Sequence, residues 1–143
     1  MVESSAVIDT DDIGQRWVAW VESGDGSLLG LFAPDFHDHV SGMGREVWRQ
    51  VTCWFEECFA DRRCELHAVM AEQDRVMLWM TIRGRHVGST FPWMGNRPPS
   101  NADVTWAQLH VLRFVDGFAV EHWAVRGDLQ ALQQIDSANA ERA

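Results

Sequence analysis

The stretch Arg62–Gly88, RRCELHAVMAEQDRVMLWMTIRGRHVG, decides the fold class because its apolar residues recur at every second position. One face of its first half takes the residues Cys64, Leu66, Ala68 and Met70, and the alternation resumes from Val76 to Ile82. A period of two is typical of strands, because successive side chains of a strand point to opposite faces. Gln73 and Asp74 separate the two halves as a turn would. We therefore expect two long antiparallel strands joined at this turn.

The residues before this stretch follow the helical period instead. IDTDDIGQRWVAWVESGD (8–25) begins with capping Asp and Thr residues and places Ile13, Trp17, Trp20 and Val21 on one side. GREVWRQVTCWFEECFAD (44–61) carries a second apolar stripe. Spacings of three and four residues put apolar side chains on one helix face, so both segments are predicted to be amphipathic helices.

The residues after the stretch predict two further strands and a closing helix. DVTWAQLHVLRF (103–114) and FAVEHWAVRG (118–127) read as strands around a VDG turn, and DLQALQQI (128–135) as a short helix. Helices followed by a meander of strands indicate an α+β domain with the helices on one face of an antiparallel sheet. The strands are apolar on both faces, so we expect a second copy to cover the other face in a homodimer.

Composition and charge narrow the function classes. A chain of 143 residues is expected to form a single domain spanning 1–143. The net charge of −9 argues against binding to nucleic acid, whose phosphates require a basic face. No apolar run reaches the roughly 20 residues that a membrane helix needs. The acidic start MVESSAVIDTDD does not resemble an export signal, so a cytoplasmic location is expected.

The segment Ala33–Gly42, APDFHDHVSG, places a carboxylate on an apolar side of a short predicted strand. Asp38 alternates with Phe36 and Val40, opposite His37 and His39. A carboxylate that faces a cavity loses water, which raises its pKa and allows it to exchange protons near neutral pH. The alternative is a turn or capping Asp after Pro34.

A second candidate group lies on the strand TWAQLHVLRF. His110 shares a face with Trp106 and Gln108, and an imidazole with a pKa near 6.5 suits acid–base chemistry. The alternative is a hydrogen-bonded core histidine. His86 ends another alternating run and is also expected to face inward. The eight tryptophans either form a heavy core or wall a pocket for a flat ligand.

No motif predicts a metal or a cofactor. His37 and His39 form an i, i+2 pair, but no stronger metal motif accompanies them. Cys53, Cys58 and Cys64 lack metal-binding spacing and are expected to act as small apolar residues. The chain has neither a glycine-rich phosphate loop nor a nucleophile elbow. We therefore expect neither a metal nor a cofactor.

Four stretches together resemble the SnoaL-like polyketide cyclases, part of the nuclear transport factor 2-like and ketosteroid isomerase-like superfamily. They are LFAPDFHDHVSG, DRVMLWMTIRGRHVG, MGNRPPSNADVTW and VLRFVDGFAVEHWAVRGDLQALQQI, and the resemblance covers roughly residues 10–136. It implies a curved sheet wrapped around the N-terminal helices as a cone with a deep pocket. It also implies ring closure in a polyketide-type small molecule without a cofactor.

The resemblance adds site residues to those from the pattern. It implies that an acid on the last strand transfers the proton, for which Glu121 is the match, although Glu121 could instead pair with Arg113 or Arg126. The expected catalytic residues are therefore Asp38, His110 and Glu121. Asp103 is a candidate for a second acid at the pocket mouth or a turn residue. The expected substrate-binding residues are Trp17, Trp20, His86, Asp103, Trp106, Gln108 and Trp123.

The mechanism expected from these residues is general acid–base catalysis in an aromatic pocket. Aldol closure, formation of a pyran ring and cycloaddition are not distinguished by the sequence. Two other functions fit the same scaffold. One is an epoxide hydrolase or a ketosteroid isomerase-like isomerase, and the other is a non-catalytic module that binds a small ligand.

Overall fold

The computed structural model describes residues 8–142, which form three helices and one five-stranded sheet. In chain order these are α1 (Thr10–Ser23), β1 (Phe32–Asp38), α2 (Val47–Cys58), β2 (Phe59–Glu72), β3 (Arg75–His86), β4 (Asp103–Val115), β5 (Phe118–Arg126) and α3 (Asp128–Glu141). The expectation about an export signal rests largely on residues 1–7, which lie outside the described part. No helix within residues 8–142 is long and apolar enough to cross a membrane.

The element order and the α+β class predicted from the sequence are confirmed. Asp9 caps α1 by accepting the backbone N–H of Asp12, and Gly24 ends the helix with a φ of 73°. A left-handed residue at this position favours glycine, which has no Cβ to clash. The last helix is longer than predicted, because it continues from Asp128 to Glu141.

The sheet is mixed rather than wholly antiparallel. Its strand order is β1-β5-β4-β3-β2, and β1 runs parallel to β5 while the other neighbours are antiparallel. The parallel pair arises because α2 and the three strands β2–β4 intervene between β1 and β5. It places the end of β1, at Asp38, beside His122 of β5. This pairing brings the first strand of the chain to the same place as the last.

Bulges reverse the inward face along strands β2 and β5. In β2 the register shifts between Leu66 and Ala68, so Leu66 and Val69 both pack against the core while Met70 is exposed. In β5 the pairing of Arg113 with Glu121 is followed by that of Phe114 with Ala119, which leaves one extra residue in β5. A bulge inserts such an unpaired residue and bends the strand. Strict alternation along these strands is therefore wrong beyond each bulge.

Aromatic rings fill the space between the sheet and the two N-terminal helices. Trp17 and Trp20 of α1 meet Trp48 of α2, with ring centroids 5.6 Å apart for Trp17–Trp48 and 5.1 Å apart for Trp20–Trp48. Most of these contacts are edge-to-face or tilted, as aromatic quadrupoles prefer. The N–H of Trp20 donates to the Thr52 hydroxyl at 2.8 Å. The cluster therefore belongs to the core while one side of it borders a cavity.

Candidate active site

A pocket lies between the sheet and the aromatic cluster. The helices contribute Trp20, Trp48, Val51 and Phe55, and the loop between β3 and β4 contributes Phe91 and Trp93. The pocket has a volume of about 50 Å³. A buried water needs roughly 10–15 Å³, so the pocket holds only a few water molecules.

A continuous chain of hydrogen bonds crosses three strands at the base of the pocket. His122 Nδ1 lies 2.8 Å from Asp38 Oδ1, and His122 Nε2 lies 2.8 Å from His110 Nδ1. His110 Nε2 lies 2.7 Å from the side-chain amide of Gln108. All four side chains line the pocket and are no more than 6% exposed. We call this set the Asp38–Gln108 chain.

The environment of Asp38 differs from the one that the sequence suggested. Burial alone would raise the pKa of Asp38, but the hydrogen bond and charge of His122, with the donors of Val40 and Ser41, together hold that pKa below its usual range. The backbone N–H of Val40 and the hydroxyl of Ser41 also donate to the carboxylate, at 3.0 and 3.1 Å. The expectation of a raised pKa is therefore wrong, because bound donors stabilise the charged form. Asp38 is an ionised hydrogen-bond acceptor.

His110 lies in a strongly desolvated position. Burial, followed by the charges of His122 and Arg126, holds the pKa of His110 well below its usual value. The ring of Trp17 covers it, with centroids 4.4 Å apart. An imidazole kept neutral at physiological pH can accept a proton and return it, provided that a neighbouring anion stabilises the cation. Asp38 supplies that anion through His122.

Several other residues predicted from the sequence border the pocket. Trp20, Trp106 and Gln108 line it directly, and Trp17 reaches it through its contact with His110. His86 is fully buried but lies outside the pocket lining. Its Nδ1 accepts the Ser100 backbone N–H at 3.1 Å, and its Nε2 lies 3.0 Å from the Ser89 hydroxyl. His86 thus fastens the two ends of the loop that carries Phe91 and Trp93.

Three of the predicted residues lie on the outside of the molecule. Glu121 accepts from Arg113 and lies 3.1 Å from His39 Nε2, and Trp123 stacks on His39 with ring centroids 4.7 Å apart. The bulge in β5 turns Glu121 and Trp123 away from the pocket and turns His122 toward it. Asp103 is exposed and pairs with Arg83 at 3.5 Å. The placement of Glu121, Trp123 and Asp103 in the pocket is therefore corrected.

The site contains residues that sequence reasoning missed. His122 completes the hydrogen-bonded chain, and Trp48 packs edge-on against it with ring centroids 4.9 Å apart. Arg126 and Asp128 form an ion pair of 3.0 Å at the pocket lining. Burial raises the pKa of Asp128, although the charge of Arg126 opposes this. In the sequence, this ion pair is marked only by the opposite charges on either side of Gly127, where β5 meets α3.

In the part of the chain that the structure describes, the side chains that could bind metal are not grouped. Within residues 8–142, no set of three or more His, Cys, Asp or Glu side chains is arranged to hold a metal ion. His37 and His39 contact each other edge-to-face, with centroids 4.5 Å apart, on the surface. Cys53 is exposed, whereas Cys58 and Cys64 are buried. Burial raises the pKa of the Cys64 thiol to about 12, which makes it a poor nucleophile at neutral pH.

Comparison with known proteins assigns the family. The family model for SnoaL-like polyketide cyclases matches residues 12–135. The chain belongs to the SnoaL-like polyketide cyclase family. A comparison of this SnoaL-like protein with curated proteins finds no significant match. Its fold is the α+β cone of the wider superfamily, with the sheet left open rather than closed into a barrel.

Solved structures resemble this SnoaL-like protein over most of its length. AclR, a proposed hydroxylase from Streptomyces galilaeus, is 25% identical, with a TM-score of 0.76 over 89% of this chain and 84% of AclR. IdmH, a proposed polyketide cyclase from Streptomyces antibioticus, is 24% identical, with a TM-score of 0.73 over 90% and 99%. A Catenulispora acidiphila protein with a ketosteroid isomerase-like fold is 17% identical, with a TM-score of 0.67 over 90% and 95%.

Proposed function

We propose that the protein closes a ring in a polyketide-type intermediate by proton transfer through the Asp38–Gln108 chain, without a cofactor. The observation that carries the proposal is a buried imidazole pair, His110 and His122, connected to an ionised carboxylate and bordering an aromatic pocket. Aromatic walls suit planar, partly folded intermediates, and a desolvated acid–base pair suits enolisation.

An aldol closure balances with these groups alone. The imidazole pair takes a proton from a carbon next to a carbonyl group, and the electron pair of that C–H bond forms an enolate. The enolate carbon bonds to a second carbonyl carbon of the same molecule, and the resulting alkoxide takes the proton back. No electrons enter or leave, so the step needs neither an oxidant nor a reductant. Asp38 stabilises the imidazolium that exists between the two transfers.

Entry of such a substrate requires the pocket to open. The space of about 50 Å³ for water-sized molecules is smaller than the 300 Å³ or more of typical ligand pockets. Phe91 and Trp93 lie on the loop between β3 and β4 and line the pocket. Movement of this loop is the simplest way to admit a substrate, because most of the other walls belong to helices and strands.

The proposal is tested with an aryl tri-β-ketone that closes to an aromatic ring by aldol chemistry. Turnover is followed by absorbance, and the product by mass spectrometry. Asp38→Asn and His110→Gln are each expected to lower kcat/KM by about 10²–10⁴-fold, the usual contribution of general acid–base catalysis. Glu121→Gln, on the outer face, is the matched control and is expected to leave kcat/KM unchanged. Circular dichroism establishes that each variant is folded.

The product mass separates the alternatives. A product of equal mass, or one that has lost a single water, supports ring closure. A product that has gained one oxygen would indicate hydroxylation, the activity proposed for AclR, and one that has gained a water would indicate hydrolysis. Either gain, or full turnover by both folded site variants, contradicts the proposal. Tight binding of the tri-ketone without any conversion would instead favour a binding module.

A further inference from the structure

The Asp38–Gln108 chain imposes a direction on its hydrogen bonds. The Asp38 carboxylate is ionised and accepts donors from His122, Val40 and Ser41. His122 must therefore carry a proton on Nδ1. The remaining contacts then depend on how many protons the two imidazoles hold, since each nitrogen is either an N–H donor or a lone-pair acceptor.

When both imidazoles are neutral, the donors run toward Asp38. His122 Nε2 has a lone pair, so His110 Nδ1 must donate to it across 2.8 Å. His110 Nε2 then also has a lone pair. Its partner 2.7 Å away is the side-chain amide of Gln108, which can satisfy a lone pair only with its NH₂ group.

When the pair holds one more proton, donor and acceptor exchange roles in the His122–His110 and His110–Gln108 contacts. His122 then carries protons on both nitrogens and donates to His110 Nδ1. His110 places its own proton on Nε2 and must donate to an oxygen, so Gln108 presents Oε1. This is the orientation that the structure has. Which end of an amide faces a neighbour is assigned from the hydrogen-bond network, and here the number of protons on the two imidazoles determines that network. The orientation of Gln108 therefore follows from that number.

We propose that a half-turn of the Gln108 side-chain amide is coupled to the gain and loss of one proton by the His110–His122 pair. Gln108 is then a positioning residue that determines the pH at which the pair exchanges its proton with solvent or substrate. Its use in catalysis rests on the proposed function, whereas the coupling itself does not.

Few charged groups around the imidazole pair influence the pH at which it exchanges a proton. Asp38 of β1 favours the added proton, and Arg126 at the end of β5 opposes it. Asp128 of α3 partly offsets Arg126 through their ion pair. The helices α1 and α2 contribute the uncharged rings of Trp17 and Trp48. Gln108 makes the hydrogen bond to His110 Nε2, so a change there acts directly on the proton balance.

The coupling is tested by ¹⁵N nuclear magnetic resonance without any substrate. In the wild-type protein, the imidazole nitrogens of His110 and His122 and the side-chain amide of Gln108 are followed through a pH titration. We expect His110 to carry its proton on Nδ1 at high pH and on Nε2 at low pH. We expect the Gln108 amide signals to change at the same midpoint.

A charged substitution makes the test directional. Gln108→Glu supplies only acceptors when ionised, so it should hold the protonated state and raise the midpoint by about one to three pH units. Gln133→Glu adds the same charge on the exposed face of α3 and should leave the midpoint unchanged. The coupling is refuted if the Gln108 amide signals stay constant while the imidazoles titrate. This measurement uses the wild-type protein alone. The coupling is equally refuted if Gln108→Glu titrates like Gln133→Glu. Loss of turnover in Asp38→Asn tests the proposed function separately.

Discussion

Two buried histidines make the stability of this protein depend on pH. Burial lowers the pKa of His86, and burial with neighbouring positive charge lowers that of His110. Unfolded, each binds a proton near pH 6.5. The unfolded chain therefore holds more protons than the folded one below about pH 6.5, so the free energy of unfolding is expected to fall as the pH decreases from there. Above that pH these two groups contribute no slope.

Denaturant unfolding between pH 5 and 8 measures this slope, and His86→Asn isolates one contribution. An asparagine oxygen can accept the Ser100 N–H as His86 Nδ1 does, but it does not titrate. The variant is expected to lose part of the acid dependence. His37→Asn, at an exposed position, is the control and should retain it. Equal slopes in the wild type and His86→Asn would show that His86 is not held neutral by the fold.

The sequence pattern assigned Glu121 to the wrong face of β5, which shows what a local pattern cannot predict. Ala119, Glu121 and Trp123 share a side under strict alternation, and Ala119 is fully buried. The extra residue in β5 reverses that alternation, so His122 faces the pocket in place of Glu121. Asp38, His110 and Gln108 were predictable, because the local alternation at those positions holds. A bulge depends on pairing with a strand distant in sequence, which the local pattern does not encode.

At the scale of elements, side-chain contacts to the end of β3 and to α3 hold the loop between β3 and β4. Ser100 contacts His86 Nδ1 with its hydroxyl at 2.9 Å and accepts the Ala102 N–H at 3.3 Å. Arg97 forms a two-bond ion pair with Asp136 of α3, at 2.7 and 3.1 Å. The sequence predicted a loop here from its Pro, Gly and Asn residues. It did not predict that His86 would hold this loop through Ser89 and Ser100.

Removing one of these contacts is expected to loosen the pocket wall. Ser100→Ala deletes the hydroxyl from both of its hydrogen bonds, which should cost about 1 kcal/mol locally, because the Ala102 N–H loses its acceptor while His86 Nδ1 keeps the Ser100 backbone N–H. Hydrogen exchange of the backbone amides in residues 89–101 should then accelerate. Ser137→Ala, on the exposed side of α3, is the control. Unchanged exchange in Ser100→Ala would mean that other contacts, such as Arg97 with Asp136, suffice to close the loop.

At the scale of the whole molecule, an apolar patch on the outer face of the sheet is left uncovered by the helices and strands within residues 8–142. Cross-strand pairs place Trp79 beside Leu109 and Leu109 beside Val125. Trp79 is 49% exposed and Val125 is 73% exposed. The same face also carries Met70, Met77, Val111 and Trp123. The apolar pattern on both faces of the strands predicted this surface, and large exposed apolar patches mark interaction sites.

We expect a second copy of the chain to cover this surface, because a two-fold axis brings the same apolar patch of both copies into contact. Val125→Glu would bring two like charges into such an interface and should convert a dimer to a folded monomer. Gln15→Glu, on the exposed side of α1, adds the same charge elsewhere and should leave the dimer intact. Sedimentation velocity distinguishes the two masses. A monomeric wild type at micromolar concentration, or a dimer that persists in Val125→Glu, would exclude this face as the contact. Because the pocket lies on the opposite face, dissociation alone should leave the Asp38–Gln108 chain and its titration unchanged.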